Sequence, residues 1–213
     1  MSSQEQPDGT ARTGARLETM TTLSEGTRRL RDLETSAVGL LTVQLVIGYE
    51  WVISGWTKLW RGGFAVGLSD ELRDSSRGVS GWFRSFLDDT VIPHGWAFGW
   101  FVLAAELAVG TALLGTATVF LVRRHRLRFS TRQLLLAVTA FASVGGILMN
   151  LSFHLANGDP HPWLIPRSGF DEGVDLDSVM PLVQLAFVVV ATKLFLFGRE
   201  TRRKDGRVVR AEP

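Results

Sequence analysis

Glu50 and Glu106 sit inside stretches that are otherwise apolar, SAVGLLTVQLVIGYEWVISGWTKLW and FGWFVLAAELAVGTALLGTATVFLV. A carboxyl group is costly in hydrocarbon. Where a membrane helix carries one, it faces the bundle interior or a water-filled cavity and marks a site of proton, ion or ligand chemistry. Two carboxyls brought close in low dielectric cannot both ionise cheaply, so at least one holds a proton near neutrality unless Lys58 or water compensates. Such a pair takes up and releases protons, and His154 is placed by sequence to relay them. Ser54 and Lys58 lie on the Glu50 side of the same segment. Asn150 and Gln184 are suited to hydrogen-bond a ligand carbonyl, and Tyr49, Trp51 or Trp100 to flank a flat ring. Together these are the parts of a quinone site: hydrogen bonds to two carbonyls, a proton route and an apolar, aromatic slot. The competing reading is structural, because buried Glu, Asn, Gln and Ser also hydrogen-bond one membrane helix to another. Lys58 and Lys193 can equally be long side chains reaching for the interface.

The elements that must position these residues are four apolar blocks in a chain of 213 residues, 46% of them hydrophobic. The blocks predict membrane helices at about 37–60, 98–122, 133–156 and 178–198, each long enough to cross a core of roughly 30 Å. The expected fold is an all-α, polytopic membrane four-helix bundle. At about 100° per residue, Gln44, Gly48, Ser54, Gly55 and Lys58 share one face of the first helix, with Glu50 at its edge. Leu45, Val46, Val52, Ile53, Trp56 and Trp60 take the other, lipid-facing side, and Gly48 and Gly55 allow a neighbouring backbone close approach. Gly99, Glu106 and Gly110 fall together on the second helix. Thr139, Ser143, Gly146, Asn150 and His154 form a polar stripe on the third, and Gln184 lies near the start of the fourth. At about 1.5 Å per residue, Glu50 and Glu106 reach a matching depth of roughly 10–15 Å below the outer edge. Four helices thus send polar groups toward one outward-facing pocket.

Charge sets the expected topology. Arg28, Arg29 and Arg31 precede the first helix, five arginines from Arg123 to Arg132 fill the second link, and Arg199 to Arg210 follow the fourth helix. The positive-inside rule puts these segments, and both termini, in the cytoplasm of a bacterial plasma membrane. The opposite loop, 157–178, carries Asp159, Asp171, Glu172, Asp175 and Asp177. Topology accounts for the basic segments, so no nucleic-acid partner is expected. Residues 1–36 have no apolar h-region and read as a largely disordered tail, leaving the first helix as its own targeting segment. Residues 199–213 read as a basic tail.

The chain has no cysteine, which excludes disulfides, thiolate-held iron–sulfur clusters and persulfide chemistry on its own residues. Of the four histidines, only His154 reaches the membrane region; His94, His125 and His161 do not, so a buried bis-His haem is not expected. No metal motif is present. In the 61–97 connection, Val79, Trp82, Phe83, Phe86, Leu87 and Val91 recur at helical spacing, predicting a short amphipathic helix at the outer interface anchored by Trp82. It is read as a cover or a lid over the bundle. The Pro- and Gly-rich 157–178 loop should be irregular, with Trp163 at headgroup level.

A first helix ending in G-x-x-K-L (Gly55–Leu59) followed by Phe64, and a second helix written E-L-x-x-G-x-x-L-L-G (Glu106–Gly115), resemble the DoxX family. The long first outer loop and the G-D-P run at Gly158–Pro160 are most similar to the DoxD-type subunit of thiosulfate:quinone oxidoreductase. The resemblance covers roughly residues 37–198. It implies a bacterial four-helix membrane subunit passing electrons from thiosulfate or a related sulfur donor to quinone, beside a second oxidoreductase subunit or soluble redox partner. Two other readings stay open: a non-catalytic anchor for a soluble partner, and a small solute or proton carrier. Four helices without an evident repeat make alternating access awkward for a monomer, and a homo-oligomer would ease it.

Overall fold

The computed structural model describes residues 37–75, 78–79, 81–123, 126–156 and 176–211, with side chains described only for 179–200 in the last segment. The amino-terminal tail, the 157–175 loop with Gly158–Pro160 and Trp163, and His125 and His161 lie outside the described residues. The chain divides into two units, Met1–Thr42 and Val43–Pro213. Of the first, only the opening turns of a helix are described, where the Thr42 hydroxyl donates to the Val38 carbonyl at 2.9 Å. The second unit holds the bundle.

Every described element is helical. Helix α1 spans Ala37–Arg61. It is followed by α2 (Phe64–Ser75), α3 (Gly81–Phe86), α4 (Gly95–Arg123), α5 (Phe129–Ala156) and α6 (Leu176–Ala211). Four runs are long and apolar enough to cross a membrane: Ala37–Arg61, Gly81–Arg123, Phe129–Ala156 and Val179–Glu200. The shortest, at 22 residues, measures about 33 Å along its axis, enough for the hydrocarbon core. The molecule is therefore a multi-pass membrane protein with the expected four-helix architecture.

The apolar residues alone do not set how closely the helices meet; the glycines do. A Cβ on Gly48 would lie 2.8 Å from the Leu114 nitrogen, and one on Gly110 would lie 2.6 Å from the Val52 nitrogen and 2.9 Å from the Gly48 carbonyl. Those neighbours are backbone and cannot swing aside. The two glycines thus bring α1 and α4 to small-residue contact, as Gly48 led us to expect from sequence. On the opposite face of α1, Val46, Ile53, Trp56 and Trp60 are exposed, as membrane-facing residues should be.

Three boundaries differ from expectation. The connection between the first two membrane helices holds two helices, not one, because Ala65, Leu68 and Leu72 give residues 64–75 a helical apolar face of their own. The amphipathic segment does not end before the second membrane helix. It passes through a π turn (Leu87–Val91) and a 3-10 turn (Ile92–His94) directly into α4, with Pro93 at the start of that turn, where a missing N–H costs little. Its apolar residues divide between two sides: Phe83, Leu87, Val91 and Ile92 pack with Leu72 of α2, with Val79 against them, while Trp82 and Phe86 face out. Finally, α6 continues as helix to Ala211, through the segment read as a tail.

α2 is held on α4 by two close approaches. Gly99 of α4 meets the Ala65 backbone and Gly95 meets Ser69, whose hydroxyl donates to the Ile92 carbonyl at 2.8 Å. This seats α2 beside the Lys58 end of α1 and the Gly95 end of α4, where the candidate site lies.

Candidate functional site

Glu106 projects from the middle of α4 and is 1% exposed. Such a carboxylate needs a partner, and Lys58 of α1 supplies one: its ammonium forms an ion pair and hydrogen bond with Glu106 Oε1. The Ser54 hydroxyl, one turn earlier on α1, donates to Oε2 at 3.4 Å. Gly55 makes this possible, because a Cβ there would press on the Glu106 Cβ at 3.2 Å and on Leu107. Lys58 is 28% exposed and lies between two rings, its Nζ 5.0 Å from the Phe64 centroid and 5.4 Å from that of Phe153. Cation–π contact holds the ammonium on the site side. Lys58 therefore turns inward to a charge partner instead of reaching for the interface.

The pair opens onto a cavity of about 370 Å³ walled by α1, α2, α4, α5 and the start of α6. Glu50, Trp51, Ser54 and Lys58 come from α1, and Glu71 from α2; Glu106 and Asn150 line it from α4 and α5. Its size falls at the lower end of the range for small-molecule sites, about 300–1,000 Å³. Trp51 is 4% exposed, and its indole N–H has no hydrogen-bond partner among the described residues. A buried indole N–H ordinarily finds one. Asn150 donates to Gln184 Oε1 at 3.3 Å, and Gln184, fully buried, rests on Gly146, where any side chain would collide with it.

The cavity thus unites six of the residues that the sequence singled out: Glu50, Trp51, Ser54, Lys58, Glu106 and Asn150. Glu50 and Glu106 share its wall without a hydrogen bond between them, and Glu50 is exposed at the rim with no ion pair among the described residues. The sequence left contact between the two carboxyls open, with Lys58 as the alternative partner; here Glu106 pairs with the Lys58 ammonium. The reason is register: Glu50, Ser54 and Lys58 form one stripe at four-residue spacing, and only its last two members reach the level of Glu106. Gln184 stands behind Asn150, outside the cavity wall. His154 is buried on α5 and is not among the lining residues. Tyr49, 58% exposed, and Trp100, 44% exposed, face outward and do not flank the cavity. Each sits on the outward side of its helix turn, next in sequence to a residue facing in.

Sequence reasoning missed the α2 wall, Glu71 among it, and Phe153, which flanks Lys58. The Ala65–Leu68–Leu72 spacing was the available signal for α2. Among the described residues, no three His, Asp or Glu side chains cluster as metal ligands would. Comparison with protein-family models, with curated proteins and with solved structures returns no match.

Proposed function

We propose that the cavity is the quinone site of a membrane-bound oxidoreductase subunit of the DoxX/DoxD type. The observation that carries the reading is a charged, hydrogen-bonding cavity inside a membrane bundle that keeps an unpartnered buried donor, Trp51 Nε1, on its wall. A bound quinone supplies a two-electron, two-proton acceptor; in the family this chain resembles, thiosulfate or a related sulfur compound supplies the electrons through a second subunit. The residues here supply the rest. Trp51 and Asn150 offer N–H donors to carbonyl oxygens, and Lys58 offers a positive charge that favours negative charge developing on them. Glu106, held by Lys58 and Ser54, and Glu50 at the rim are the groups able to hand over or receive protons. Trp51, Phe64 and Phe153, rather than Tyr49 and Trp100, are the rings at hand.

The test is to purify the protein in mild detergent and assay its organic extract for quinone, wild type beside Glu106→Gln. Near-stoichiometric quinone in the wild type and little in the variant supports the site. No quinone in either folded protein removes the reading.

A second reading has its own observation: α6 continues as helix to Ala211, through the segment containing Arg202, Arg203, Lys204, Arg207 and Arg210. A helical basic extension suits a membrane anchor for a soluble partner. Cross-linking in intact cells should then capture a partner that is lost on truncation after residue 200 and retained in Glu106→Gln.

A further inference from the structure

A second cavity is larger than the polar one. A groove of about 930 Å³ runs along α4 and α5 beneath α2 and α3, and of its described lining residues only Ser152 has a polar side chain. Its floor is made of small residues, Ala105, Ala108 and Ala112 on α4 with Ala137, Ala142 and Gly145 on α5. From Ala137 to Ala156 it follows α5 for about 28 Å, close to the thickness of the hydrocarbon core.

Small residues between membrane helices usually let backbones close on each other. Here they leave an open channel instead: a Cβ on Gly145 would meet only Val109 Cγ2, at an ordinary 3.6 Å. The groove also borders the polar cavity. Leu68 and Leu72 of α2 and Phe153 and Ala156 of α5 line both, so the two spaces meet across these four side chains. Of these two neighbouring spaces, one is charged and hydrogen-bonding, and the other is long and apolar. That is the shape of an amphiphile with one compact polar head and one long hydrocarbon chain.

We propose that the α4–α5 groove seats the isoprenoid chain of the molecule whose head occupies the Glu106–Lys58 cavity. α2 forms the partition under which the chain leaves the head. The inference rests on the quinone reading for the identity of the head and adds to it a chain subsite that sets preference for chain length. Phospholipid acyl chains would also enter an apolar groove, but they would not couple its occupancy to the polar cavity.

Binding of one quinone head with no chain, with a decyl chain and with a full isoprenoid chain tests this, at equal mole fraction in the micelle so that partitioning cancels. The readout is quenching of tryptophan fluorescence, which needs no turnover. The wild type should prefer the isoprenoid form to the chainless form by about threefold or more, because a chain seated in the groove gains packing contacts that fluid micelle hydrocarbon does not give it. Gly145→Leu and Ala108→Phe, which place side chains in the groove, should remove that preference and leave chainless binding unchanged. Glu106→Gln should weaken all three alike. Equal affinity for all three in the wild type overturns the chain subsite while leaving the head site standing, as does loss of chainless binding in both folded groove variants. If no form binds at all, the quinone reading falls and this inference falls with it.

Discussion

Two polar clusters lie between α1 and α4, and they differ in kind. Toward the Gln44 end of α1, the Gln44 amide donates to the Leu113 carbonyl at 3.0 Å and to the Thr116 hydroxyl at 2.8 Å; Thr116 donates to the Ala112 carbonyl at 2.7 Å and receives the Thr139 hydroxyl at 3.0 Å. The Thr116 oxygen spends its one hydrogen and both lone pairs within the protein. All three residues are buried, and none lines a described cavity. The other cluster, at Glu106 and Lys58, is charged, borders a cavity and keeps a buried N–H without a partner. Burial of polar groups is common to both. What separates glue from a site is unfinished hydrogen bonding beside open space.

The largest expected effect probes the charged cluster. Lys58→Met leaves Glu106 buried and unpaired, and should destabilise the protein by about 3 kcal/mol, the lower end for a broken buried pair because Lys58 retains some solvent contact. Adding Glu106→Gln removes the orphaned charge and should restore most of that loss, measured by thermal unfolding in detergent. Quinone should stay absent from the double variant despite its recovered stability. A double variant as unstable as Lys58→Met alone would mean that the two residues are not energetically coupled.

The uncharged cluster should behave in the opposite way. Thr116→Val strands the Thr139 hydroxyl and one of the two Gln44 contacts, with an expected cost of about 2 kcal/mol for buried donors left unsatisfied. Bound quinone, measured per folded protein, should be unchanged. If it drops as it does in Glu106→Gln, the two clusters act as one unit and the distinction between them is lost.

The fold was readable because membrane helices announce themselves by length and composition, and the positions of Gly48 and Gly55 marked the face on which another helix comes close. Glu106, Lys58, Ser54 and Asn150 could be found as polar residues on inward faces. Their partners could not, since pairing depends on which helices are neighbours and on axial register. That is why matching depth placed Glu50 and Glu106 near one level without telling whether they touch, and why the Lys58 pair had to be seen in the fold. Aromatics gave the weakest signal: Tyr49 and Trp51 are two residues apart and differ by about 200° on the helix, so composition could not tell the inward ring from the outward one. α2 was passed over because a twelve-residue amphipathic turn in a polar connection looks like a loop unless its i, i+3, i+7 spacing is tested.

The smallest expected effect concerns Glu50, the residue that stands between the two descriptions. It lines the cavity, yet it is exposed and has no ion pair among the described residues. Removing its charge takes away no contact, so Glu50→Gln should change stability by no more than about 0.5 kcal/mol, as for substitutions away from packed features. Glu106→Gln removes the partner of Lys58 and should strip the site of ligand, whereas Glu50→Gln should keep its quinone and slow only proton exchange with it. Extracted quinone from the two variants, side by side, separates the roles. Equal loss in both would show that the rim carboxylate holds the ligand as firmly as the buried one, and that the two glutamates work as the pair their sequence positions first suggested.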